Sequence, residues 1–217
     1  MSNKKGRFFA FLLLCIFGLS NVSAQTNDES ELWLTIAANK DLPKKFDLNS
    51  SISFRLPDNV SSLGAANFSL GLSKKIKEVK IGIGYRYSYR FSTYQNRIWA
   101  EAKWDKEIIK RTYLDIRTRL QTDFLLDSYT PQNTLRPKFQ LSYKIKKTKF
   151  YPYLFTELFF DLNRYETKNI RARIGGGIDF KQIENQTIGL GFFKIDGMAN
   201  EKFKNRNIFT IDYKISF

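Results

Sequence analysis

From residue 31 to the last residue, apolar and polar side chains alternate with a period of two, and helical periodicity is almost absent. Leu32, Leu34, Ile36 and Ala38 share one face of a first segment. In a second, Phe46, Leu48, Ile52 and Phe54 lie opposite Asp47, Asn49, Ser51, Ser53 and Arg55. The third, fourth and fifth set Phe68 and Leu70 against Asn67 and Ser69, Tyr85 and Tyr87 against Arg86 and Ser88, and Ile98 and Ala100 against Arg97 and Glu101. The sixth and longest opposes Leu114, Ile116 and Leu120 to Asp115, Arg117 and Arg119; the seventh opposes Leu135 and Phe139 to Arg136 and Lys138. The eighth, residues 150–161, is apolar on both faces apart from Glu157, so the pattern leaves its facing open. The ninth places Ile170, Ala172, Ile174 and Ile178 opposite Arg171, Arg173, Gly175, Gly177 and Asp179, and the tenth Ile188, Leu190 and Phe192 opposite Thr187, Gly189 and Gly191. The last runs Phe209, Ile211, Tyr213, Ile215, Phe217 against Thr210, Asp212, Lys214 and Ser216. The pattern predicts about eleven strands, each with one apolar and one polar face.

The connections alternate too. Short basic turns are expected at 74–77, 106–110, 146–149 and 181–185, and longer polar loops at 56–63, 125–133, 162–168 and 196–205. An all-β antiparallel barrel of ten to twelve strands fits this layout. Which face lies inside is a separate question, because a soluble barrel such as a lipocalin turns its apolar face inward. Three features favour a transmembrane barrel with short periplasmic turns and longer external loops. Several segments reach or exceed the roughly 9–11 residues that cross a bilayer at a tilt. Aromatics gather toward apolar-face ends, as interfacial girdles do. The chain also ends in Phe217 behind alternating apolar residues, which resembles the closing strand of bacterial outer-membrane barrels. That resemblance implies that Tyr213, Ile215 and Phe217 form a signal read by the barrel-assembly machinery, and that the last strand runs inward.

Ten strands from Lys45 onward satisfy the alternation of turns and loops, and the segment at 32–38 makes an eleventh. Bacterial single-chain barrels have even strand numbers. The expectation is therefore either a further strand, in 56–66 or 196–206, or a first segment outside the wall.

The beginning of the chain reads differently. Lys4, Lys5 and Arg7 precede an apolar run from Phe8 to Leu19 and the small-residue site Val22-Ser23-Ala24. This is the layout of a secretory signal peptide, cut after Ala24, leaving residues 25–217 as one barrel domain. Cys15 is the single cysteine and falls in the removed segment, so the exported chain has no thiol for disulfides or metal. Basic residues number 36 against 21 acidic, and removal of the first 24 residues leaves a net charge of +12. In an exported chain that excess points away from nucleic acid and toward outer-membrane lipid, lipopolysaccharide phosphates or an anionic solute.

Candidate chemistry is limited by the absence of histidine. Catalytic triads, imidazole acid–base pairs and imidazole metal ligands are excluded, and no enzyme activity, metal or cofactor is expected. The polar faces, if they line the lumen, gather Arg86, Arg97, Glu101, Asp115, Arg117, Arg119, Arg136, Lys138, Glu157, Arg171, Arg173, Asp179 and Asp212. Charges so enclosed must pair or meet water. They form either an Arg–carboxylate network that fills the barrel or a basic constriction that passes anions. Gly82, Gly84, Gly175, Gly177, Gly189 and Gly191 share that face, as clearance for bulky neighbours or as a smooth groove.

Several stretches together resemble the family catalogued as domain of unknown function 2490: Trp33, Leu42-Pro43-Lys44-Lys45-Phe46, Tyr85-Arg86-Tyr87, the segment Tyr153–Asp161 with Glu157, and Phe217. The resemblance implies an outer-membrane barrel and brings no activity with it. The functional expectation is a structural or small-solute, anion-leaning channel. A barrel binding lipid or a partner through loops 125–133 and 196–205, and an enzyme working without histidine, are the alternatives.

Overall fold

The computed structural model describes residues 29–57, 60–90, 93–125, 130–163, 170–183, 185–197 and 205–217. The signal-peptide reading of 1–24 lies outside these residues, as do 126–129, 164–168 and 198–204 of the long connections read at 125–133, 162–168 and 196–205. Eleven strands follow in chain order: β1 (Glu29–Leu42), β2 (Phe46–Leu56), β3 (Ala65–Ile76), β4 (Val79–Arg90), β5 (Thr93–Ile109), β6 (Thr112–Leu125), β7 (Gln132–Tyr143), β8 (Phe150–Asp161), β9 (Ile170–Ile183), β10 (Gln186–Asp196) and β11 (Arg206–Ser216). Each pairs antiparallel with the next, and β1 closes the barrel against β11.

The strand count among the described residues is odd, and residues 198–204 of the stretch 196–206, one place expected for a further strand, lie outside them. The first segment is part of the wall, from Glu29 rather than from 32, and the described residues around 56–64 add no strand. The odd count is accommodated at the seam. When eleven strands alternate in direction, the first and last point the same way, so they must pair in parallel. β1 and β11 do so, in unbroken register from Glu29↔Arg206 to Asn39↔Ser216. On its other edge β1 pairs antiparallel with β2 from Leu32↔Leu56 to Leu42↔Phe46. It is therefore held on both sides.

That seam also fixes the rims. The strand ends that flank 43–45, 77–78, 110–111, 144–149 and 184–185 share the rim where β11 ends; those that flank the longer intervals 57–64, 126–131, 162–169 and 197–205 share the other. Several of the turns are tighter than expected, because β3 and β5 persist to Ile76 and Ile109. Lys44, Lys45, Lys77, Arg111 and Lys147 hold these turns with positive φ, between 54° and 66°. Side chains other than Gly, Asn and Asp adopt that region at a cost of roughly 1–2 kcal/mol.

Exposure reveals which face is which. The outward residues are the apolar ones, with Ile83 at 64%, Leu154 at 69% and Ile174 at 63%. Asn67, Ser69, Gln121, Asp123, Arg136 and Glu157 are buried. The arrangement is the inverse of a lipocalin's, and β8 resolves its ambiguity accordingly: Leu154 faces out, while Tyr153, Phe155, Glu157 and Phe159 face in.

The interior glycines serve bulky neighbours. A Cβ on Gly84 would lie 2.2 Å from the Trp99 ring, and one on Gly177 or Gly191 would meet the Tyr153 hydroxyl at 2.6 or 2.8 Å. The space that Gly84, Gly177 and Gly191 leave is taken by these inward aromatics.

Candidate functional site

Closure of the sheet brings the polar faces of all eleven strands around one lumen. Arg86, Arg97, Arg117, Arg119, Arg136, Lys138, Glu157, Arg173, Asp179 and Asp212 line a mid-barrel cavity of about 360 Å³. Glu101 and Asp115 line one of about 540 Å³ toward the short turns, and Arg171 one of about 460 Å³ toward the long loops. Arg55, Arg97, Arg136 and Arg173 border both the middle and loop-side cavities, while Arg86, Arg117, Arg119 and Lys138 border the middle and turn-side ones. Layers of basic side chains thus separate three spaces along the axis.

Glu157 on β8 is the hub. Its Oε1 accepts from Arg117 Nη2 at 2.6 Å and Arg136 Nη2 at 2.8 Å, and its Oε2 from Arg173 Nη1 at 3.3 Å. One carboxylate, 3% exposed, so ties β6, β7 and β9 to β8 across the interior. Charge-assisted bonds of this kind are stronger than neutral ones, and burial raises the loss if the carboxylate is removed. The fourth cation beside it is Lys138, directly opposite in register and donating to Gln140 Oε1 at 2.9 Å.

Smaller pairs surround the hub. Arg97 reaches Asp123 through both Nε and Nη2, and Asp123 also accepts from Gln121 Nε2 at 3.1 Å. Arg119 donates through Nε and Nη2 to Glu101 Oε2 at 2.8 and 2.6 Å. Lys103 and Asp115 pair at 2.8 Å. Asp179 and Asp212 face the middle cavity without an ion pair to a described cation. Arg171 lies over the Phe159 ring at 5.3 Å.

Other interior groups follow from the same alternation but were not singled out from it. Lys80 pairs with Asp47 at 2.5 Å and Arg206 with Glu31 at 2.8 Å, and Arg55 stacks 4.1 Å above Trp33. The interior also carries an apolar patch: Phe193, Ile195 and Ile208, with Trp33 and Phe155 packed against them. Trp33 and Phe155 each meet the Phe193 ring edge-on, at 5.3 and 5.7 Å. Arginines lie over such rings, Arg136 and Arg173 at 4.5 and 4.6 Å from the Phe159 centroid. An aromatic face attracts a cation electrostatically, which holds these guanidiniums in place while their edges remain free to donate.

At the seam, Tyr213 and Ile215 share the outward face of β11 with Phe209 and Ile211. The backbone N–H of Phe217 donates to Asn39 O at 2.9 Å, and its carbonyl accepts from Asp41 N–H at 3.1 Å. The terminal aromatic ring itself is 67% exposed.

No curated protein matches the chain. A solved structure from work on the mechanism of in-meso crystallization of membrane proteins aligns over 82% of this chain and 79% of its own, at 13% identity and a TM-score of 0.44. A family model described as "Protein of unknown function (DUF2490)" matches residues 30–194, which takes in β1 through most of β10 and the whole Glu157 hub. The chain belongs to the DUF2490 family.

Proposed function

We propose that the protein is an outer-membrane barrel, exported behind a cleaved signal peptide, whose lumen admits small anions. The observation that carries this reading is the charge of the middle cavity: nine Arg or Lys side chains line it against three carboxylates. Fixed positive charge in a narrow, protein-walled space raises the local concentration of anions and repels cations.

The outward face supports the address. Strands of 11 to 17 residues are long enough, at about 3.3 Å per residue and the tilt of about 40° usual in such barrels, to cross an apolar band of about 25 Å. Outer-membrane lipid and lipopolysaccharide are the surroundings this reading gives it, and Tyr213, Ile215 and Phe217 the segment presented to the barrel-assembly machinery. It assigns the protein no catalysis, since most interior carboxylates are engaged with cations and the sequence has no histidine.

Planar-bilayer recording across a potassium chloride gradient tests the lumen. The reversal potential should show chloride preferred over potassium; a cation-selective current, or none, would overturn the channel reading. Fractionation tests the address: the folded protein should sediment with outer membranes and shift its gel migration on heating, and recovery from the soluble periplasm would refute it.

A further inference from the structure

Two guanidiniums in the middle cavity stand apart from the ion-pair network. Arg55 on β2 donates to no carboxylate among the described residues; its plane rests on Trp33, whose Nε1 donates to Glu31 Oε2 at 2.8 Å. Glu31 is held in turn by Arg206 at 2.8 Å, so the platform under Arg55 is braced from behind. Arg86 on β4 spends only its Nε, which donates to Ser69 Oγ at 2.8 Å. Its two terminal amino groups meet no described acceptor.

The neighbours of this pair are further cations. Arg55, Arg86, Arg97 and Arg173 line the same middle cavity. Arg86 sits directly opposite Arg97 in the β4–β5 register, a like-charge pairing that by itself opposes strand pairing. Arg97 gives Nε and Nη2 to Asp123 and keeps Nη1. Three guanidiniums on β2, β4 and β5, each oriented by one partner and each with donors to spare, thus border the same 360 Å³ space.

We propose that Arg55, Arg86 and Arg97 form a binding site for a small multiply charged oxyanion of the phosphate type. A tetrahedral oxyanion offers acceptors in several directions at once, which suits forks arriving from three different strands, whereas chloride offers charge without directed acceptors. The site rests on the anion-admitting reading for its supply of ligand, yet it does not require current to flow. Its occupation offsets the repulsion across Arg86 and Arg97 and locates selectivity at one level of the barrel.

The test uses the purified full barrel, folded in zwitterionic detergent, with inorganic phosphate, sulfate and chloride compared at equal ionic strength. Titration calorimetry should show saturable binding of phosphate and sulfate and none of chloride. The variants R55Q and R86Q, and the double variant, should each fold by the gel-shift criterion. The double variant should bind phosphate at least tenfold more weakly. Without phosphate it should be at least as stable to urea as the parent, since removed charges were repelling one another; a purely structural role for these arginines predicts the opposite. Equal responses to all three anions, or undiminished phosphate affinity in R55Q/R86Q, would overturn the site. Phosphate binding in a barrel that passes no current would leave the site standing and the channel reading refuted.

Discussion

Replacing Glu157 with glutamine is the most informative single change to the interior. The substitution keeps the shape and one acceptor oxygen but removes the only carboxylate among the described residues that Arg117, Arg136 and Arg173 contact, at 2.6, 2.8 and 3.3 Å. Breaking a buried pair from one side costs about 3–5 kcal/mol, because the abandoned charge stays in place. Here three charges are abandoned, but the Arg117 and Arg173 side chains are 21% and 19% exposed to the lumen, so water takes up part of the loss. Arg136, at 7%, is not relieved in that way. The expected destabilisation of E157Q is therefore about 3 kcal/mol, at the low end of that range. With a urea dependence of about 1–3 kcal/mol per molar, the unfolding midpoint should fall by at least about 1 M. Tryptophan fluorescence of the detergent-folded protein measures this directly. Adding R136M to E157Q should restore part of the loss, since the worst-placed unpaired charge is then gone. An unchanged E157Q midpoint would refute the hub and leave the Glu157 contacts without energetic weight.

Further outcomes follow from the wall. Cysteines placed at Ala37 and Lys214, partners across the β1–β11 seam, should form a disulfide on oxidation that changes gel mobility, whereas cysteines at Thr35 and Lys214 should not; the reverse result would show the parallel register to be wrong. Gly175→Ala would set a methyl 2.2 Å from the Phe192 carbonyl oxygen, a backbone atom that cannot step aside, and should cost about 1–3 kcal/mol in urea unfolding. Gly71→Ala, whose nearest contact is 3.4 Å, should cost less than half as much, and equal losses would sink the clearance account of the glycines. Lys77→Gly removes a left-handed lysine with φ of 54° and should raise stability by about 0.5 kcal/mol after the entropy of the added glycine is counted. A lower melting temperature would mean the Lys77 side chain contributes more than its backbone costs.

Much of this barrel was legible in the sequence because a period of two is a geometric statement: once Ile83 faces one way, Gly84 must face the other. That rule put Arg117, Arg119, Arg136 and Arg173 on the polar faces, and the exposure of the apolar faces makes those polar faces one interior. It failed where both neighbours were apolar. In β8, short of its last residue, Glu157 is the one charged residue, set among apolar neighbours on both faces. In β10 and β11 Phe193, Ile195 and Ile208 are apolar residues on the face that alternation gives to polar ones, so this interior patch went unread. A pair of adjacent aromatics in an alternating strand is the available signal, since one of the two has to point inward. Which carboxylate serves which arginine was not legible either. Pairing across the lumen depends on the stagger of strands, and Glu157 reaches Arg117 two strands away as well as Arg136 next door. The strand count was read correctly, but an expectation of evenness cast doubt on β1. The sequence of β1 alternates as well as any other, and only the pairing partner at the seam decides its place.

The parallel seam sets the start of β1 and the end of β11 at opposite rims. Glu29 lies beside Arg206 at the rim of the long loops, whereas Ser216 lies beside Asn39 at the rim of the short turns. In an even-stranded barrel both ends emerge together, so a fusion at either end reports on the same side. Here anything joined ahead of β1 starts from one rim of the barrel and anything joined after β11 starts from the other. In the outer membrane proposed above those rims face two compartments, so a pair of tags, one ahead of β1 and one after β11, would read the orientation without touching a loop.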